Sequence, residues 1–252
     1  MIHLIHIEIL KLRRNPSFLI LLALFVLSVV GVNYVAAEIV NGNKELEKVI
    51  KFTFPEVWKS VAYIASYVLV IPGLMVIMHT CAEYTYRTHR QNIIDGLSRD
   101  QYITAKVLFV LGLALFSSGV TFVVAWFIGS LSGAPFSFEG CKYMGYFFIH
   151  AVMFLGLALL FALFLKRSAI TIGIFVTYWL VIENVAEKYL CKLDDFGQLV
   201  PLGSSEHLLA LDAYRIVSLV HLMPERFYLS AAVVYIVACY AACYCRYRKQ
   251  NL

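Results

Sequence analysis

The chain has 252 residues, of which 61% are apolar and 15% charged. Soluble domains average about 45–50% apolar and about 25% charged residues, so this composition excludes an ordinary soluble domain. The net charge of +5 comes from 21 Lys/Arg against 16 Asp/Glu, with no separate basic block, which speaks against a nucleic-acid partner.

Residues 1–15 form the first expected element. Ile2, Ile5, Ile9 and Leu12 recur at helical spacing, with His3 and His6 on the more polar side. This pattern predicts a helix lying in the membrane interface, with Lys11, Arg13 and Arg14 facing lipid phosphates. His3 and His6 lack further ligands at metal spacing, so no metal is expected. Pro16 then turns the chain into the membrane.

A bilayer core about 30 Å thick takes about 20 apolar residues as a helix. Six segments qualify: 17–37, 57–80, 103–129, 143–165, 169–186 and 227–245. Backbone groups in lipid must pair within their own segment, which makes the spans helical. The expected fold is therefore all-α, a single transmembrane domain over 1–252. Val35-Ala36-Ala37 would suit signal cleavage, but the first apolar run is longer than a signal core of about 7–15 residues. An uncleaved anchor is expected.

Charge sets the orientation. With the N-terminus inside, 12 cations and four acids fall on the inner side, against nine cations and 12 acids outside. The positive-inside bias then places both termini in the cytoplasm, in an inner cell membrane crossed several times. None of the six cysteines forms a CxxC pair. Cys141 and Cys191 share the outer side, which leaves a bridge between them open.

The inner segment 81–102 is too polar to span and too long for a tight turn. Ile93, Ile94 and Leu97 give it a small apolar stripe, and Gly96 can end a short helix. Ser98 with Gln101 three residues later reads as a capping box for the third span. An apolar stripe on an exposed loop calls for a docking partner. The outer region 187–226 holds a break at Val200-Pro201-Leu202-Gly203. Ser204-Ser205-Glu206-His207 is expected to open a short helix through Leu211, and 214–222 forms a second segment. Short helices on or dipping into the outer leaflet are expected there.

Within the spans, Glu183, Asn184 and Asn33 are costly polar groups that mark either a substrate path or a dimer interface, or else outer-end water contact for Glu183 and helix packing for Asn33. His150 and His79 read as packing or boundary groups. Ala238/Ala242 and Cys239/Cys243 are small pairs suited to close helix approach. No Gly in the chain is followed by Lys, so there is no phosphate-binding G-x-x-x-x-G-K-[ST] loop. H-E-x-x-H and G-x-S-x-G are absent too.

The run Glu83, Thr88-His89-Arg90-Gln91, Ile94-Asp95-Gly96-Leu97-Ser98-Arg99 and Lys106 resembles the first cytoplasmic loop of ABC-2-type transporter permeases. Tyr86 and His89 stand where small residues are frequent in that family. The resemblance implies the membrane-spanning subunit of an ATP-binding cassette exporter, paired with a second permease copy (a homodimer) or a related permease. It also implies a cytosolic ATPase that carries ATP and Mg, so no cofactor is expected on this chain. Glu83, Arg87, Thr88, Arg90, Ile93, Ile94, Gly96, Leu97 and Arg99 would form the coupling segment seated on that ATPase. Two other classes stay open on the residues alone. One is a membrane-embedded enzyme acting on lipid or peptide, built around Glu183 and His150. The other is an ion-driven secondary transporter, although no internal repeat supports it.

Overall fold

The computed structural model describes residues 12, 15–43, 46, 50–86, 88, 91, 98–191, 195–211 and 223–248. Among these the structure is helical, with no strand. Six helices are long and apolar enough to cross a membrane: Pro16–Asn41, Val57–Thr85, Arg99–Leu131, Lys142–Leu165, Ser168–Leu190 and Glu225–Arg248. They are called spans one to six below. Each covers its expected segment and runs beyond it at one or both ends.

Span one starts where the sequence places it. Asn15 caps it by accepting from the Ser17 N–H at 3.1 Å, and Pro16 occupies the first turn, where its missing N–H costs nothing. One stripe is buried, formed by Phe25, Val29, Asn33, Ala37 and Val40. Ile20, Leu24, Leu27 and Val35 face outward, as suits a helix with lipid on most of its surface.

Span two is broken at Leu69, whose N–H bonds back only three residues to Ser66 O. Pro72 explains the break. It has no N–H for the Val68 carbonyl and its ring crowds that carbonyl. Span three opens on the expected capping box: the Gln101 N–H reaches Ser98 Oγ, and the Ser98 N–H reaches Gln101 Oε1. Its 33 residues make a helix about 50 Å long at about 1.5 Å per residue, well beyond the hydrocarbon core.

Span four is the hub and packs against spans two, three, five and six. Ala151, Ala158 and Ala162 are fully buried along it, and small residues let helices approach closely. At Gly156 a Cβ would stand 3.2 Å from the Tyr240 ring of span six. The tight link from span four to span five turns at Lys166, which has a left-handed φ of 58°. Partial burial, and then the charge of Arg246, hold the Lys166 ammonium below the usual lysine range. Span five contains a π-helical turn, Tyr178–Ile182, directly before Glu183. Span six buries Tyr228, Ala232, Cys239, Cys243 and Tyr247 as one stripe. The Cys239/Cys243 pair thus packs inward, while Ala238 faces out.

The ends of the bundle are chemically distinct. The end of span two, the start of span three, the Lys166 turn and the end of span six lie together, joined by contacts such as Tyr102–Tyr247 and Lys166–Tyr84. This is the basal end. At the opposite, distal end, Trp58 stacks on Phe122 at 5.0 Å and donates to Ser137 O at 3.0 Å. All six cysteines are free thiols, Cys141 and Cys191 included.

Candidate functional site

The basal end centres on a buried ion pair. Lys106 sits two turns into span three and is 0% exposed, and Glu83 near the end of span two is 5% exposed. Lys106 Nζ lies 2.9 Å from Glu83 Oε1. A lone charge in an apolar bundle carries a desolvation penalty of several kcal/mol, and pairing with good hydrogen bonds is what offsets it. Both partners are further satisfied. Tyr102, one helical turn before Lys106 on the same face, donates to Glu83 Oε2 at 2.6 Å. Lys106 Nζ is 3.2 Å from His79 Nε2. An ammonium has no acceptor, so Lys106 donates there and Nε2 carries no proton.

Span six closes the cluster. Tyr247 stacks on Tyr102 with ring centroids 4.7 Å apart, and the Tyr244 and Thr104 hydroxyls lie 2.7 Å apart. On the rim, Arg248 makes two bonds to the Asp100 carboxylate, at 2.7 and 2.6 Å, and Arg99 Nη1 donates to the Arg248 carbonyl at 2.9 Å. The rim pair is exposed, so solvent screening leaves it little weight beside the buried pair. Spans two, three and six therefore converge on one buried ion pair at the root of the 81–102 segment.

Of the residues expected to form the coupling segment, Glu83, Thr88 and Arg99 are described. Thr88 Oγ1 donates to the Glu83 carbonyl at 3.5 Å. Arg87, Arg90, Ile93, Ile94, Gly96 and Leu97 lie outside the described residues, as do Lys11, Arg13 and Arg14. Sequence reasoning named Glu83 and Lys106 separately but did not pair them, and it missed Tyr102 and Tyr247. The available signal was two opposite charges on the facing ends of consecutive spans, each flanked by apolar residues.

The distal end holds a second polar assembly around a short helix, Pro201–Glu206. This helix opens at Pro201, earlier than the expected start at Ser204, and it stops at Glu206 rather than reaching Leu211. Pro at the first turn fixes the start, and the cap comes from another span. Glu183 Oε1 accepts from the backbone N–H groups of Leu202 and, at 3.1 Å, Gly203. Leu202, Gly203, Ser204 and Ser205 are buried, as dipping backbone in a membrane protein must be.

Other spans grip the same segment. His150 of span four lies 2.9 Å from Ser205 Oγ. That hydroxyl gives its own proton to Leu202 O, so His150 Nδ1 is the donor. Glu187 pairs with His207 at 2.9 Å. Tyr67 of span two donates to Glu206 Oε1 at 3.1 Å, and its oxygen is 2.9 Å from the Tyr63 hydroxyl. Between them is a cavity of about 100 Å³ lined in part by Tyr63, Tyr67, Glu187, Glu206 and His207. Asn184 also borders it, with its amide given to the Trp179 and Leu180 carbonyls. Asn33 is fully buried in span one and donates to Val29 O at 2.8 Å.

Burial pushes the Glu206 carboxyl up. The Tyr67 hydrogen bond and the His207 charge oppose this, and Glu187 adds to it. A carboxyl raised on folding favours its protonated form in the folded state. Its effect on stability is absent below the ordinary value of about 4.3. Stability is then lost as pH rises through the folded value. Thermal unfolding across that range will show the wild type losing stability relative to Glu206→Gln as pH rises. Parallel curves for the two proteins would contradict this.

The described residues contain no group of three or more His, Cys, Asp or Glu able to hold a metal. They offer instead six apolar spans, a buried ion pair under the segment between spans two and three, and a propped short helix at the other end. This is the architecture of a multi-pass membrane protein. The chain matches the model of the family described as ABC-2 family transporter protein over residues 4–182, and it belongs to that family. It is thus a multi-pass permease component of an ABC-type transporter, a class that works with an ATPase. No curated protein matches it.

Proposed function

We propose that this chain is the permease subunit of an ABC exporter in the inner cell membrane, driven by a separate ATPase docked on the 81–102 segment. The observation that carries the reading is the buried Glu83–Lys106 pair with Tyr102. It stands at the root of that segment and ties it to spans two, three and six. A push on the segment is then delivered to three spans at once rather than absorbed by a loose loop. Ile93, Ile94 and Leu97 supply the apolar contact with the ATPase, and Arg87, Arg90 and Arg99 the charged rim.

ATP and Mg belong to the partner, and the permease acts as a homodimer or with a related permease. The basal end is the cytoplasmic one. Its described cations Arg99, Lys106, Lys166, Arg167, Arg246 and Arg248 outnumber Glu83 and Asp100, as the positive-inside rule requires. Lys11, Arg13 and Arg14 then meet inner-leaflet phosphates. Glu183 and Asn184 border the distal exit side of the path.

The enzyme alternative fares worse. Glu183 and His150 are each engaged in holding the Pro201–Glu206 segment, through different bonds. The test is Ile94→Asp in the complex with the ATPase. We expect normal membrane insertion with loss of ATP-driven transport. Wild-type transport by this variant would reject docking at the 81–102 segment.

A further inference from the structure

The turn between spans four and five gathers positive charge that the described bundle does not neutralise. Lys166 and Arg167 are the whole link between the two spans, and Arg246 reaches the same corner from the end of span six. The Lys166 ammonium stands 5.5 Å from the centre of the Tyr84 ring. The Arg246 guanidinium stands 4.9 Å from the centre of the Phe164 ring. Burial first, and the Arg246 charge second, hold the Lys166 ammonium below the usual lysine range, so each cation lies in the other's field. Among the described residues, Lys106, Lys142 and Arg248 each meet a carboxylate. Lys166, Arg167 and Arg246 meet none among them. We propose that this corner is a binding site for the phosphate of an anionic phospholipid from the basal leaflet.

Three observations favour a phosphate. The first is charge. The aromatic faces fix Lys166 and Arg246 in place but supply no net negative charge, so the repulsion between the two stays until an anion arrives. The second is the guanidinium itself. Its Nε is buried without a hydrogen-bond partner, which pins the group against Phe164 and leaves its terminal amino groups as the donors for an outside oxygen. A planar guanidinium matches a phosphate bidentately. The third is the helix that opens at Ser168. It has no side-chain cap, and the N–H groups of its first turn have no partner inside the helix. Such an end favours an anion, and here it adds to the cations beside it.

Depth and surroundings select a lipid over a soluble anion. A link of two residues cannot rise far from the membrane surface, so its cations lie at headgroup level. Beside them, on the span side, Phe164 is 52% and Ile170 49% exposed. A phospholipid serves both surfaces at once, with its phosphate on the cations and its hydrocarbon on Phe164 and Ile170. A zwitterionic headgroup would bring a further cation into the corner, so the headgroup carries net negative charge.

The test uses the purified full chain in a neutral detergent, titrated with dioleoyl phosphatidylglycerol, dioleoyl phosphatidylcholine or inorganic phosphate. Retained lipid is counted by native mass spectrometry, and thermal unfolding is followed in parallel. Phosphatidylglycerol should stay bound and raise the unfolding temperature, and the other two should do neither at equal concentration. Arg246→Gln and Lys166→Asn should each weaken retention about fivefold, and together about 25-fold, the attraction of one cation apiece. Asn suits position 166 because it tolerates the left-handed φ of 58°. Without lipid both variants should unfold no earlier than wild type, since each relieves repulsion. Arg248→Gln, on the same basal face, should leave retention unchanged. Equal weakening by Arg248→Gln would overturn the site in favour of general attraction to the basal face. Inorganic phosphate as effective as phosphatidylglycerol would overturn the lipid as the ligand. A zero-length carbodiimide cross-link from Lys166 to Asp95 or to the C-terminal carboxylate would show that the chain supplies its own anion, and would overturn the proposal too.

Discussion

Replacing Lys106 with Met will destabilise the folded bundle by about 3–5 kcal/mol, the cost of breaking a buried ion pair by removing one partner. The variant removes the ammonium that lies 2.9 Å from Glu83 Oε1, while the Tyr102 hydroxyl stays on Oε2. Glu83→Met breaks the same pair from the other side, with a loss of similar size. The double variant Glu83→Met/Lys106→Met should recover most of that stability, because a buried pair replaced by apolar groups of like volume is often neutral or stabilising. Adding Tyr102→Phe removes the hydroxyl that has lost its acceptor. Denaturant or thermal unfolding of the purified protein gives all four values. Non-additive recovery in the double variant marks direct coupling, and simple additivity would contradict it. If the pair transmits force, the recovered double variant will still fold but will transport poorly with its ATPase.

Glu183 carries the second large effect. Glu183→Ala removes the acceptor of the Leu202 and Gly203 N–H groups. Each buried donor left unpaired costs about 1–3 kcal/mol, so the Pro201–Glu206 helix should detach from span five. Hydrogen exchange at Leu202 and Gly203 will rise sharply in this variant. Glu183→Gln keeps a carbonyl oxygen in the same place and should hold exchange near the wild-type level. Transport should follow the same order, near normal for Gln and lost for Ala. A Gln variant with native exchange but no transport would show that the negative charge itself, rather than the cap, serves the transport path.

Much of the frame can be read directly from the chain. Runs of about 20 apolar residues define the six spans because the bilayer fixes the length. Pro16 and Ser98-x-x-Gln101 mark two helix starts because such signals are local, whereas the Asn15 cap shows only in the structure. What depends on packing between distant residues cannot be read this way. Glu83 and Lys106 meet only because spans two and three adopt one relative rotation. Glu183 looks like a lone costly carboxylate until span five is placed against Leu202. The start of the short helix at Pro201 is hidden in the sequence because its cap comes from Glu183 rather than from a Ser or Asp of its own. Asn33 illustrates the converse case, since its amide is turned back onto the Val29 carbonyl of its own helix. Docking through Ile93, Ile94 and Leu97 rests on their spacing in the sequence, supported by the anchored root at Glu83.

The most direct measurement compares ATP hydrolysis and substrate movement in the reconstituted complex carrying wild-type or Ile94→Asp permease. Docking through the 81–102 segment predicts that wild type couples hydrolysis to transport. With Ile94→Asp, a protein of unchanged stability and abundance, transport is lost while any remaining hydrolysis no longer responds to the permease. Full coupling with Asp at position 94 would contradict the account.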